Sequence, residues 1–129
     1  MRNYFLETER IGFSNWTTYD YKLAILLWGD EAVTKYISKT GVFTEQEILD
    51  RLSVEIENEK QFQVQYWPIF EKKSEDFIGC CGLRPYDVEK HIYEIGFHLR
   101  SNYWGKGFGS EAARAVIQYS FNNLKAIEL

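Results

Sequence analysis

The sequence predicts an α+β layered fold, in which a mostly antiparallel sheet is flanked by helices. Three short apolar runs follow one another in the middle of the chain and are separated by polar turns, as in a β-meander. Two longer segments instead repeat apolar residues at intervals of three and four, as amphipathic helices do. A chain of 129 residues is long enough for one hydrophobic core, so we expect a single domain over residues 1–129.

The first half of the chain predicts one strand and three helices. Residues 8–16 alternate loosely and indicate a strand, and residues 19–28 carry leucines on one helical stripe. Asp30 is a candidate N-cap of a short helix. Thr44 and Glu47 have the spacing of a capping box at the start of a third helix. The charged side of that third helix is most simply a solvated face.

The second half predicts three strands, a helix and the beginning of a further strand. These segments are 62–70, 76–83, 91–100, 110–124 and 125–129. Pro68 lies inside the first of these strands, and because proline cannot donate a ladder hydrogen bond, it indicates a bulge or an edge position.

Composition excludes several classes of protein. The net charge of -4 and the lack of a basic stripe argue against nucleic-acid binding. No apolar run approaches a membrane span and no signal peptide opens the chain, so we expect a cytoplasmic protein without a membrane partner. Cys80 and Cys81 are neighbours in a strand and point to opposite faces, which is typical of small buried thiols. The cysteines and the two histidines lack metal-site spacing, so no metal is expected.

The most informative feature is a run of glycines at alternate positions, 105, 107 and 109, between a strand and an alanine-rich helix. Glycine tolerates positive φ and lets the backbone approach a ligand closely. The following helix directs its unpaired N–H groups and the positive end of its dipole to the same point. This segment therefore predicts a strand, a phosphate-holding turn and a helix. A merely flexible turn is the alternative, which the length of the run disfavours.

Two common nucleotide motifs do not match. A Walker loop requires a glycine, four further residues and then Gly-Lys-Ser/Thr, and no segment of this chain has that pattern. A dinucleotide fingerprint requires G-x-G-x-x-G, and this chain has Ser110 at the position of the third glycine. The run instead resembles the acetyl-CoA loop of the GNAT acetyltransferase superfamily, Arg/Gln-x-x-Gly-x-Gly/Ala. Trp104 stands at the Arg/Gln position, and Gly107 and Gly109 match the two small positions. The longer run, aromatic-Trp-Gly-Lys-Gly-aromatic and then Ser-Glu-Ala, is similar to the ribosomal-protein N-terminal acetyltransferase branch.

The resemblance implies a GNAT-like acyl-CoA N-acyltransferase fold with acetyl-CoA as co-substrate and an amine as acceptor. In the family the sheet splays open between the fourth strand, here 91–100, and the fifth, which would begin near Ala126. The family domain continues beyond this point, so we expect a domain that is truncated after the start of the fifth strand. The expected cofactor-binding residues are Phe97, His98, Leu99, Trp104, Gly105, Lys106, Gly107, Phe108, Gly109 and Ser110.

These residues would contribute mainly backbone groups. The amides from Trp104 to Ser110 would hold the pyrophosphate, and the stretch 97–99 would pair with the pantetheine amides. Lys106 would add charge at the rim, although an exposed surface lysine is the alternative.

Glu94 is the candidate catalytic base, because acetyl transfer requires a neutral amine. It matches the glutamate of the Glu-Ile-Gly-aromatic run in the resembling branch, and alternation places it on one face with Gly96 and His98. A solvent-facing strand residue is the alternative for Glu94. His98 is a candidate second base, or a packing residue.

The resulting hypothesis is an N-acetyltransferase that moves an acetyl group from acetyl-CoA to a primary amine, either a protein N-terminus or a small amine. The alternative is a truncated GNAT fragment, weakly active or inactive, that binds CoA and self-associates. An unpaired inner strand leaves an exposed sheet edge, so a homodimer or strand exchange through that edge is expected for this alternative.

Overall fold

The computed structural model describes residues 2–123, and the strand predicted at 125–129 lies outside this range. The elements are β1 (Leu6–Glu7), β2 (Ile11–Phe13), α1 (Tyr21–Trp28), α2 (Glu31–Thr34), α3 (Glu45–Phe62), β3 (Tyr66–Glu71), β4 (Phe77–Asp87), β5 (Ile92–Leu99), a 3-10 helix (Ser101–Tyr103) and α4 (Phe108–Asn123).

The five strands form one sheet in the order β1-β2-β3-β4-β5, with every neighbouring pair antiparallel. One hydrophobic core lies between the sheet and α4, and a second lies between the sheet and helices α1–α3. Cys81 belongs to the first core and Cys80 to the second, as their adjacent positions in β4 predicted. This three-layer arrangement confirms the predicted fold class.

The segment predicted as one strand over 8–16 contains only the short strand β2, and a turn joins β2 to the preceding strand β1. The amide of Thr8 donates to the carbonyl of Ile11 at 2.8 Å, and the Ile11 amide donates to the Thr8 hydroxyl at 3.0 Å. These local hydrogen bonds reverse the chain direction. The predicted fourth family strand, 91–100, is consequently the fifth strand of this sheet.

The strand predicted from Phe62 begins later, because α3 continues through Phe62. Phe62 packs against the first core from the last turn of the helix. The helix then ends at Gln63, which has φ 61° and whose amide donates to the Glu59 carbonyl at 3.0 Å. The capping box of Thr44 and Glu47 at the other end is confirmed. At β4, the strand extends through Asp87, beyond the predicted end at 83.

Pro68 lies in an inner strand and pairs in register with Cys80, so the edge alternative is wrong. A bulge does lie nearby, between Ile69 and Phe70, but its additional residue is Ile78 of β4 and not Pro68. The Pro68 carbonyl accepts from the Ser14 amide at 3.0 Å and therefore faces β2. The ring nitrogen lies on the same side, just beyond the end of β2 at Phe13. At that position the missing N–H of proline removes no hydrogen bond between β2 and β3.

None of the helices within residues 2–123 combines the length and the apolar character needed to traverse a bilayer.

Helix α4 begins at Phe108, two residues before the predicted start, because Gly107 accepts the first helical hydrogen bond from the Glu111 amide at 3.1 Å.

Candidate functional site

The loop that joins the 3-10 helix to α4 has the backbone conformation that its glycines allow. Gly105 has φ 74° and Gly107 has φ 80°, both in the left-handed region where side chains are strained. Gly109 serves a different purpose, since it lies in the first turn of α4, and a Cβ there would come within 2.9 Å of the Phe97 ring. The first two glycines shape the loop, and the third allows α4 to pack closely on β5.

The amides of this loop are available as donors. Within residues 2–123, none of the amides from Gly105 to Ser110 donates a hydrogen bond, whereas the Trp104 amide is bonded to the Ser101 carbonyl at 3.2 Å. A helix start that leaves its first N–H groups unpaired is favourable for an anion. The donors of this site are therefore 105–110, one residue fewer than predicted.

The loop borders a cavity of about 490 Å³ that opens beside β5. Eight of the ten predicted cofactor residues line it: Phe97, His98, Leu99, Trp104, Gly105, Gly107, Gly109 and Ser110. The opposite wall is apolar and consists of Val33, Tyr36 and Ile37, at the end of α2 and just after it. The sequence analysis did not predict this wall, although it did predict the N-cap of α2 at Asp30. In the structure the Asp30 side chain also accepts from the Ser101 amide at 3.2 Å and from the Ser101 hydroxyl at 2.9 Å, which ties α2 to the end of β5.

The two remaining predicted residues do not line the cavity. The Phe108 side chain is buried in the first core, with its ring centroid 5.8 Å from that of Tyr103. The Lys106 ammonium lies 5.7 Å from the Tyr103 ring centroid, and the Lys106 carbonyl accepts from Arg10. Both residues can offer backbone amides to a ligand at this site, but their side chains are engaged elsewhere.

Strand β5 pairs with β4 along one edge, and no other strand of the described part of the chain pairs with its opposite edge. The Arg100 amide donates to the Ile78 carbonyl at 2.9 Å, and the same register pairs His98 with Cys80. Because hydrogen-bonded pairs alternate in an antiparallel ladder, the backbone of His98 faces β4 while those of Phe97 and Leu99 face away. The Leu99 carbonyl accepts from Trp104 Nε1 at 2.8 Å. Of the three residues predicted to pair with a ligand, Phe97 thus has both groups free among the described residues.

The side chain of His98 is held as a neutral imidazole. Burial, reinforced by the charges of Arg51 and Arg84, lowers the pKa of His98 to about 4. Trp28 Nε1 donates to His98 Nδ1 at 3.2 Å, so the proton of the neutral ring lies on Nε2. The ring also packs edge-on against Tyr66, with centroids 5.7 Å apart. His98 is therefore suited to donate a hydrogen bond and poorly suited to accept a proton.

Glu94 is exposed, directly opposite Arg84 across β4 and β5, and two positions from Gly96. The Tyr66 hydroxyl lies over Gly96, where any Cβ would collide with it. Tyr66 was not among the predicted site residues. The pair of glycines at 82 and 96, which stand opposite each other across the two strands, is the signal that could have revealed a side chain crossing there.

Glu55 is a charged residue on the buried stripe of α3, beside Ile48 and Leu52. The Glu55 side chain is fully buried and accepts from the Tyr66 amide and from Arg51 Nε, both at 2.8 Å. It also accepts from Arg84 Nη2 at 3.3 Å. The two guanidinium groups in turn lie over the Tyr66 ring, with Arg84 at 4.4 Å and Arg51 at 5.5 Å from its centroid. Glu55 thus organises the region around Tyr66.

No three His, Cys, Asp or Glu side chains within the described range 2–123 come together as a metal site would require.

Comparison with known proteins agrees with this geometry. The chain is 33% identical over 119 residues to an uncharacterised N-acetyltransferase, p20, from Bacillus licheniformis, covering 92% of this chain and 67% of that protein. Across three curated relatives, the chain spans between 56 and 67% of their length.

Solved structures show the same fold. A GNAT-family acetyltransferase from Bacillus anthracis superposes with a TM-score of 0.78 at 26% identity, over 94% of this chain and 68% of that one. The ribosomal L7/L12 alpha-N-protein acetyltransferase RimL, in complex with coenzyme A, has a TM-score of 0.73 at 14% identity, over 88% of this chain and 64% of its own. The latter likeness concerns the fold alone.

A family model described as the acetyltransferase (GNAT) domain matches residues 10–129. With the open helix start, the bordering cavity and these relatives in agreement, the chain belongs to the GNAT acetyltransferase family.

Proposed function

We propose that this chain transfers an acetyl group from acetyl-CoA to a primary amine, with a protein N-terminus or a small amine as the acceptor. One observation carries the proposal: within residues 2–123, the unpaired amides of the 105–110 loop and the unpaired edge of β5 border the same cavity. An anion site and a strand edge that meet at one cavity suit a ligand with a diphosphate and an amide-bearing arm, which coenzyme A combines.

The glycine loop fits the diphosphate of coenzyme A. Gly105 and Gly107 line the cavity and have no Cβ to crowd an approaching phosphate, while the dipole of α4 adds a favourable field. Ser110 lies in the first turn of α4 and also lines the cavity. Bound here, acetyl-CoA would supply the activated acetyl thioester.

The arm of the cofactor would run along β5. Phe97 has an N–H and a C=O that no residue from 2 to 123 occupies, as an edge strand offers them to an added strand. The apolar wall at 33–37 and the half-exposed Trp104 ring would shield the arm from water. His98 Nε2–H would be a donor on the same stretch of strand.

Glu94 would take the proton that the attacking amine must lose. An α-amine, with a pKa near 8, needs only modest help at neutral pH, whereas a lysine near 10.4 needs more. Glu94 is exposed and lies on the face of β5 that carries Gly96, the Tyr66 hydroxyl and His98. That position is accessible to a soluble acceptor; Glu94 itself does not line the cavity, whereas His98 on the same face does.

The proposal is tested by calorimetric titration with acetyl-CoA, followed by a thiol-release assay. Acceptors would be a peptide with a free N-terminal serine, the same peptide N-acetylated but carrying a lysine, and a small polyamine. We expect cofactor binding and turnover with at least the first or the third acceptor. A dissociation constant of about 1 mM corresponds to a binding free energy of about −4 kcal/mol. If no binding is detected at that cofactor concentration, the proposal of an acetyl-CoA-dependent enzyme is rejected.

Binding without turnover on any acceptor would favour the alternative, a CoA-binding GNAT fragment that self-associates. Strand β5 is the last strand in the order of the sheet, and its outer groups at Phe97 are unpaired within the described residues. Light scattering distinguishes the two cases, because only the alternative requires a dimer or strand-exchanged species.

A further inference from the structure

We infer that Arg10, in the turn between β1 and β2, is a positioning residue that keeps the glycine loop in its anion-binding conformation. The inference rests on the proposed function, since it concerns the same loop. Arg10 lies far from the loop in sequence, and the glycine motif alone does not indicate it.

Arg10 first ties the β1–β2 turn to the start of α4. Its Nε donates to Glu111 Oε1 at 2.7 Å, and its backbone amide donates to Glu111 Oε2 at 3.0 Å. The Thr8 hydroxyl donates to the same oxygen. These hydrogen bonds, together with the paired charge, hold the pKa of Glu111 below its usual value against the opposing effect of burial. These charge-assisted hydrogen bonds hold the first turn of α4 against the loop between β1 and β2.

The same guanidinium also reaches the loop itself. Arg10 Nη1 donates to the Lys106 carbonyl at 3.0 Å, and the Arg10 guanidinium carbon lies 4.1 Å from the Phe108 ring centroid. The Arg10 side chain therefore contacts the residue before Gly107 and the residue after it.

The contact with Lys106 determines where the Gly107 amide points. In a trans peptide the carbonyl of one residue and the N–H of the next point in opposite directions. The structure contains no cis peptide bond among its described residues. With the Lys106 carbonyl turned toward Arg10, the Gly107 N–H is turned away from it, and Gly107 lines the cavity on the other side.

The loop needs such an anchor because glycines make this peptide easy to rotate. Gly105 and Gly107 flank Lys106, and each can adopt both signs of φ at little cost. A rotated 106–107 peptide would present its carbonyl oxygen to the cavity, and an oxygen there would repel a diphosphate. The Arg10 hydrogen bond favours the orientation that presents the donor.

The test compares Arg10→Lys with Arg2→Lys, a matched control. Arg2 makes similar contacts at a site away from the loop: it donates to Asp20 at 2.8 and 2.7 Å and to the Asn15 carbonyl at 3.0 Å. Its guanidinium carbon also lies 4.9 Å from the Phe70 ring centroid. Both substitutions keep the charge and lose the guanidinium fork, so both should lower the melting temperature.

Only Arg10→Lys should weaken binding of coenzyme A, measured by calorimetry well below the melting temperature. We expect roughly a tenfold rise in Kd, the worth of one charge-assisted hydrogen bond, and no more than about a twofold rise for the control. In ¹H–¹⁵N spectra, coenzyme A should shift the Gly107 amide strongly in the wild type and weakly in Arg10→Lys.

Equal Kd values for Arg10→Lys and wild type, or equal losses in the two variants, would overturn the positioning role while leaving the proposed function intact. If the wild type itself does not bind coenzyme A, the proposed function fails and the inference fails with it. Glu111→Gln gives a second measurement, since it removes the charge that holds Arg10 and should raise Kd in the same direction.

Discussion

His98 should make the protein less stable as the pH falls from about 6.5 to about 4. In the folded chain its ring is enclosed by Trp28 and Tyr66 and lies near two guanidinium groups, so burial and charge lower the pKa from 6.5 to about 4. The unfolded chain binds the proton at the higher pH. Between the two values the unfolded state holds more protons, so the free energy of unfolding decreases as the pH is lowered.

The size of this effect follows from the two pKa values. Each tenfold change in proton concentration is worth about 1.4 kcal/mol, so the loss attributable to His98 reaches at most about 3 kcal/mol at pH 4. Between pH 7 and pH 5 it amounts to about 2 kcal/mol. The lowered pKa values of Asp20, Asp30 and Glu111 act mainly below this window, because their ordinary values are 3.8 and 4.5.

Urea unfolding of wild type and His98→Gln at pH 7, 6 and 5 measures the effect. Glutamine does not titrate, and its side-chain oxygen can still accept from Trp28. The wild type should lose about 2 kcal/mol more than the variant between pH 7 and pH 5. Every other titrating group, including Glu59 with its raised pKa, is common to both chains and cancels. Parallel pH profiles would show that His98 is not enclosed as described.

Three further substitutions test the remaining assignments. Glu94→Gln should lower turnover by roughly 100-fold or more at neutral pH and leave the Kd for coenzyme A nearly unchanged, and unaltered turnover would exclude Glu94 as the base. Glu55→Gln should destabilise the fold by about 3 kcal/mol in urea unfolding, since two guanidinium groups lose a buried partner, whereas Glu57→Gln on the exposed side of α3 should have little effect. Gly105→Val should raise the Kd for coenzyme A well beyond any change caused by Gly41→Val; both glycines have φ near +80° with open space around them, and only the first lines the cavity. Equal Kd values in the two glycine variants would mean that the loop does not hold the cofactor.

Local chemistry was enough to predict much of this molecule from its sequence. The capping box at Thr44, the meander of strands and the glycine-rich entry to α4 are each specified by residues close together in the chain, so periodicity and turn chemistry reveal them. The resemblance of the glycine run then predicted the family. Eight residues chosen in this way line one cavity.

Contacts between distant segments were beyond such reasoning. Sequence patterns did not identify Glu55 as a buried carboxylate, and the fold can bury it because Tyr66, Arg51 and Arg84 supply the donors that a buried carboxylate needs. The neutral state of His98 likewise depends on the tryptophan and the guanidinium groups that other elements bring to it.

Apart from the separate strand β1, the sequence by itself determined the elements, their order and the kind of loop that precedes α4, because these depend on backbone preferences and on the spacing of apolar residues. Only the tertiary structure decided which way the peptide between Lys106 and Gly107 faces, because the hydrogen bond that orients it comes from Arg10, 96 residues away in the chain.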